Sequence, residues 1–140
     1  AVLERLAALP MGESLAAGIE VGIPAIVLGE SLGQATAYAN DRDPVLVMAQ
    51  DLMGHVCRRA RPGVLIALST SGHSRNVVAA MCLAQAYDVM TISLTGPGGG
   101  MMADLADIVI KAPGGNTPEV QESHLRIYHT LCLMIEATLF

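Results

Sequence analysis

The sequence predicts an α/β layer fold, a parallel sheet sandwiched between helices in three layers. Three observations predict it. Short apolar runs recur at Ile23–Leu28 and Val64–Leu68, with further strand-like runs at Val89–Leu94 and near 107–111; strands of a sheet buried on both faces read this way. Stretches with apolar residues at helical spacing lie between them. Glycine- or hydroxyl-rich turns follow most of the runs, as strand–helix units require.

In chain order, Ala1–Pro10 reads as the end of a helix with Leu3, Leu6 and Leu9 on its apolar side. Ile23–Leu28 is a buried strand that stops at Gly29. Ser31–Tyr38 is helical, and Asn40-Asp41-Arg42-Asp43 is a polar break. From Pro44 to about Arg59, Val45, Met48, Leu52, Met53 and Val56 recur at helical spacing, with Pro44 in the first turn and Asp43 or Asp41 as cap. Pro62-Gly63 turns the chain into the strand Val64–Leu68. A helix over Arg75–Ala86 leads to the strand Val89–Leu94. Thr95–Gly100 is a loop, Met101–Leu105 a helical turn and Ala106–Ile110 a strand. After Gly114-Gly115-Asn116, Thr117 as N-cap, Pro118 and Glu119 start a helix that runs to the end.

Composition narrows the function. The 140 residues suit one domain, with 52% hydrophobic but only 3% aromatic residues, so the core is aliphatic and methionine-rich. A net charge of −5 lacks the basic stripe of a nucleic-acid groove. A charged fraction of 15% and positive mean hydropathy exclude disorder. The longest uncharged stretch, Val89–Ala103, holds four Gly and a Pro and cannot span a bilayer as a helix. The chain opens on Ala1 instead of Met, so residues are expected to precede it. No basic–apolar leader opens it, which predicts a cytoplasmic protein. Cys57, Cys82 and Cys132 are odd in number, widely spaced and set among apolar residues, the pattern of buried free thiols.

The segment that carries chemistry is Ser69-Thr70-Ser71-Gly72-His73-Ser74, between a buried strand and a helix. Ligands of parallel sheets bind beyond the carboxyl ends of the strands, where free N–H groups and the helix dipole favour an anion. Four hydroxyls within six residues donate to phosphate oxygens, and Gly72 permits a tight turn. A cap alone would account for Ser71 or Ser74 but not for all four. No Gly-Lys-Ser/Thr loop and no Gly-x-Gly-x-x-Gly after the first strand is present. Gly96–Gly100 by itself reads as a flexible connection.

The run Ser69–Asn76 resembles the sugar-phosphate turn of sugar isomerase (SIS) domains, and within them of the phosphoheptose isomerases. The likeness extends through Ile23–Ile26, Ala39–Asp41, Ile92–Gly100, Ala106–Ile110, Val120–His129 and Leu133–Glu136. It implies an SIS fold and an aldose–ketose isomerase of lipopolysaccharide heptose biosynthesis. Such an enzyme interconverts sedoheptulose 7-phosphate and glycero-manno-heptose 7-phosphate through an enediol. It also implies that Ser69, Thr70, Ser71 and Ser74 hold the phosphate, that Asn40, Asp41 and Gln121 contact the sugar, and that His129 is the acid/base. Imidazole suits that task near neutral pH. Some members hold zinc at the Gln121 and His129 positions, which makes these two the candidate metal ligands; the sequence itself requires no cofactor. Eight residues separate them by about 12 Å and about 80° on a helix, a demanding geometry for one ion. Family members are commonly tetramers with sites between subunits, so the expected partners are a phosphorylated sugar and further copies of the chain. Two other readings of the same likeness are a non-catalytic adaptor similar to the DnaA-initiator-associating protein and a sugar-phosphate sensor; a histidine at position 129 favours the enzyme.

The chain departs from the family at its start. The family's first strand, its glycine-rich loop and a helix with His and the catalytic Glu have no counterpart, and Met11–Leu15 follows Pro10 almost at once. The expectation is therefore a single domain over 1–140 that joins pieces across a break between about residues 10 and 22. Glu13 is the one candidate remnant of the catalytic acidic pair.

Overall fold

The computed structural model describes residues 2–19, 22–57 and 63–140, with Val2 and Leu3 as backbone only. Its elements are α1 (Val2–Ala7), α2 (Gly12–Gly18), α3 (Leu32–Asp41), a 3-10 turn (Pro44–Leu46), α4 (Val47–Val56), β1 (Val64–Ser69), α5 (Arg75–Ala86), β2 (Met90–Thr95), α6 (Gly100–Leu105), β3 (Ile108–Lys111) and α7 (Thr117–Leu139). The strands form one parallel sheet in the order β1-β2-β3. Register brings Ser69 beside Thr95 and Thr95 beside Lys111, so all three strands end on one edge.

Helix α5 covers one face. Ala67, Met81 and Met102 are buried together there, against Leu65, Val77, Val78, Leu105 and Ala106. A second cluster joins α4 to α5 through Leu52, Val56, Ala80, Ala84 and Val89. Two fully buried methionines fill this aromatic-free core, as an unbranched side chain with three rotatable bonds readily does. The paired positions of β2 on that face are Thr91, Ser93 and Thr95, each with no exposed surface. Thr91 is satisfied by Asp107: its N–H and Oγ1 donate to Asp107 Oδ2 at 2.7 and 2.8 Å, and Asp107 N–H donates back to Thr91 Oγ1 at 3.1 Å. These donors hold the Asp107 carboxyl below the usual carboxylate range. The opposite face is far less covered: Val64, Ile66, Met90 and Ile108 are about half exposed. Helix α7 meets the carboxyl end of β2 through His124 and Thr95, beside the fully buried Leu94.

Several sequence expectations change. Ile23–Leu28 is not a strand; only Leu28 reaches the second cluster, while Ile23, Ile26 and Val27 are exposed. A strand exists only with a partner for its backbone groups, and among the described residues β1 pairs with β2 alone, leaving its outer edge free. The segment is anchored instead by Gly29 N–H donating to Asp51 Oδ2 at 2.8 Å. Asn116, not Thr117, caps α7. Its Oδ1 accepts from Glu119 N–H at 3.0 Å, and Glu119 accepts in return from Asn116 Nδ2 and Gly115 N–H at 2.7 Å. Asp43 caps the 3-10 turn as expected, through Val45 N–H at 2.9 Å. All three cysteines are free but exposed, Cys57 just past the end of α4 and Cys82 and Cys132 on α5 and α7. The expected helix end near Arg59 and the Pro62 turn lie outside the described residues. In the stretch where the break is expected, α2 follows Pro10, with Gly12 N–H donating to Leu9 O; residues 20 and 21 lie outside the described residues.

Candidate functional site

The site grows from the end of β1. Ser69 is buried, and its Oγ lies 2.7 Å from Ser74 Oγ and 3.4 Å from Ser71 Oγ. Three of the four expected hydroxyls therefore converge. Ser74 occupies the N-cap position of α5, yet its side chain makes no cap hydrogen bond. The hydroxyl is turned to Ser69 instead of to the first N–H groups of α5. Three hydroxyls thus form a cradle at a helix N-terminus, an arrangement whose donors suit an anion better than a single cap does.

The cradle is braced by the Gly-rich loop after β2. Gly72 adopts φ +67°, and a Cβ there would stand 1.9 Å from Gly99 O. A Cβ at Gly100, itself at φ +60°, would lie 2.6 Å from the Gly72 carbonyl carbon. Only residues without side chains allow the two backbones to meet this closely. Met102 N–H then donates to Gly72 O and Gly96 N–H to Thr70 O, both at 3.0 Å. Met101 N–H donates to His73 Nδ1 at 3.4 Å. The loop read as a flexible connection is thus a backbone-to-backbone clasp. Its density of glycine was the signal, unreadable until the partner turn was in place.

Beside the cradle is an open cleft of about 200 Å³, lined by Thr70, Ser71, Pro97, Gly114, Gly115, Asn116, Thr117 and Val120. The start of α7 therefore forms the far wall. Gln121 and His129 are both exposed on that helix. The side chains that turn inward are Val120 and His124, both buried, then Ile127 and Leu131, half-buried. His129 lies about 140° round the helix from His124 and so faces away from the chain's own sheet. Its ring stands edge-on to Tyr128, 5.1 Å between centroids.

The remaining expected residues lie on other elements. Asn40 and Asp41 end α3 and are exposed, with α3 packed on the 3-10 turn and α4. Glu13 is exposed in the first turn of α2, which packs on α1. No hydrogen bond links any of the three to the cradle among the described residues. Nor does any group of three or more His, Cys, Asp or Glu side chains there have metal-binding geometry. Gln121 and His129, two turns apart on one helix, do not form a metal centre by themselves. His124 carried no expected role; its only sequence signal is a spacing of four from Val120, on the inward stripe.

No family model matches the chain. It is 40% identical over 120 residues to the phosphoheptose isomerase of Crocosphaera subtropica, a match covering 85% of this chain and 59% of that protein. The phosphoheptose isomerase of Rhodospirillum rubrum is 38% identical over 118 residues, covering 84% and 61%. The chain thus spans about 60% of the length of the curated relatives it matches. Among solved structures, the phosphoheptose isomerase of Neisseria gonorrhoeae superposes with a TM-score of 0.71 at 31% identity, over 80% of this chain and 61% of that one. That of Francisella tularensis gives 0.75 at 25% identity, over 97% and 69%. Parallel sheet, hydroxyl turn and sequence agree: the chain belongs to the SIS family, on its phosphoheptose isomerase branch.

Proposed function

We propose that the whole protein is an aldose–ketose isomerase that converts sedoheptulose 7-phosphate to D-glycero-D-manno-heptose 7-phosphate. The observation that carries this reading is the Ser69–Ser71–Ser74 cradle, braced by the Gly-rich clasp at the carboxyl end of a parallel sheet. With Thr70 it holds the phosphate, remote from the reacting carbons, and so orients the sugar. Isomerisation then removes a proton from the carbon beside the carbonyl, protonates the carbonyl oxygen to give an enediol, and reverses the two transfers on the neighbouring atoms. His129 relays these protons, and Gln121, Asn40 and Asp41 hold sugar hydroxyls. Hydrogen moves within one molecule, so no redox cofactor is needed. The carboxylate partner of His129 belongs to the residues by which the relatives are longer, inserted between about Pro10 and Gly22; Glu13 on its exposed helix is a weaker choice.

The outward direction of His129 supports a site completed by a second subunit. The distal half of α7 supports the same, with Leu133, Met134, Leu139 and Phe140 each 60% exposed or more. A homotetramer acting on a soluble sugar phosphate in the cytoplasm is part of this proposal. No described helix is long and apolar enough to cross a membrane.

The test is incubation of the full-length protein with sedoheptulose 7-phosphate and detection of the aldose product. His129→Ala is expected to lower kcat by at least about 100-fold with phosphate binding retained. Binding without turnover in the unmodified protein would replace the enzyme with a sugar-phosphate binding module.

A further inference from the structure

We propose that His124 is a positioning residue that couples the phosphate cradle to the helix bearing Gln121 and His129. This rests on the proposed phosphate role of the serine turn, and on the isomerase reading for its kinetic consequence. The side chain is 4% exposed, and its Nε2 lies 3.2 Å from Thr95 O. A carbonyl oxygen only accepts, so Nε2 carries the proton and donates. The same oxygen accepts from Ala112 N–H at 2.7 Å, so one atom at the tip of β2 ties in both the segment after β3 and α7.

The next residue continues the connection. Gly96 N–H donates to Thr70 O within the cradle turn, and a Cβ on Gly96 would lie 2.5 Å from that oxygen. Val120, one turn before His124, packs at the same place: its Cγ2 would be 3.4 Å from that added Cβ. The path from cradle to helix is therefore Thr70, Gly96, Thr95, His124, made of backbone bonds until its last link. Val120 supplies contact without direction, whereas the imidazole bond fixes how far α7 is rotated about its axis. Gln121 lies three residues before this anchor and His129 five after it. A small rotation at His124 swings both, and misplacing a reacting group by about 1 Å costs about 100-fold in rate.

The test uses the full-length protein, His124→Leu and His124→Gln. Leu fills the space without a donor, and Thr95 O keeps its bond from Ala112; Gln restores an N–H at the Nε2 position. With inorganic phosphate as probe, amide exchange over residues 121–129 is expected to slow on binding in the unmodified protein and in His124→Gln, but not in His124→Leu. Phosphate affinity should stay within about twofold in all three. With sugar phosphate, His124→Leu should lose about 30- to 100-fold in kcat at nearly unchanged KM, and His124→Gln should recover at least about tenfold of it. Unchanged exchange in the unmodified protein overturns the coupling. So does a Gln variant no better than Leu, or loss of phosphate affinity together with kcat. Phosphate-dependent slowing without any turnover sustains the coupling and removes the isomerase reading instead.

Discussion

Asp107 shows how one side chain can register two strands. Its carboxylate receives two donors from Thr91, and its own N–H returns a bond, so the start of β3 is pinned to β2 before the ladder begins. Because the folded state holds this carboxyl below its usual range, the charged form stabilises the fold above the ordinary aspartate pKa of about 4. That stabilisation disappears as pH falls through the lowered value. Asp107→Asn is therefore expected to lower Tm at pH 7, with the deficit against the unmodified protein shrinking below about pH 4. A deficit independent of pH between 7 and 3 would show that shape, not charge, carries the role. Gly72 makes the complementary point. Its φ and its nearness to Gly99 exclude any side chain, so the residue most important to the turn offers no chemistry of its own.

Two elements set the site: the β1–α5 turn and the start of α7. The first is legible as sequence because hydroxyls, a glycine and a strand end stand within eight residues. The second depends on Asn116 and Glu119, which satisfy each other and Gly115 across the first turn. Asn116→Ala should cost about 1 kcal/mol, the usual loss for an N-cap, seen as a Tm lower by about 2–4 °C. A Tm unchanged within error would mean that packing of Val120 and His124 alone sets the helix start. Beyond His124 the helix has little of its own chain to pack on, so its apolar positions Met134, Ile135 and Leu139 are exposed. Periodicity alone could not say whether those positions faced a core or another subunit; within this chain they face neither.

At the scale of the whole molecule, the sheet has, among the described residues, one covered face, one largely bare face and a free edge at β1. Val64, Ile66 and Leu68 are exposed on that bare face, and Ile23–Leu28 lacks a partner strand. Exposed apolar strands of this kind invite pairing. A form carrying the additional residues of the relatives is expected to slow amide exchange in Ile23–Leu28 and β1 by about 100-fold or more relative to the 140-residue chain. Equal exchange in both would mean that the added residues dock elsewhere.

By itself the sequence determined the three strands after residue 63, the helices between them, the hydroxyl turn and the family. Those features are local: buried strands, helical spacing and turn chemistry are written within a dozen residues. It misplaced what depends on a partner. Ile23–Leu28 has the composition of a strand, but a strand also needs a neighbour's backbone, and none stands beside it. The Gly96–Gly100 clasp joins residues some 25 positions from the turn it braces, and His124 bonds a carbonyl 29 positions away. Only the tertiary structure decided these, because close approach and a buried hydrogen bond are properties of pairs that the chain brings together when it folds.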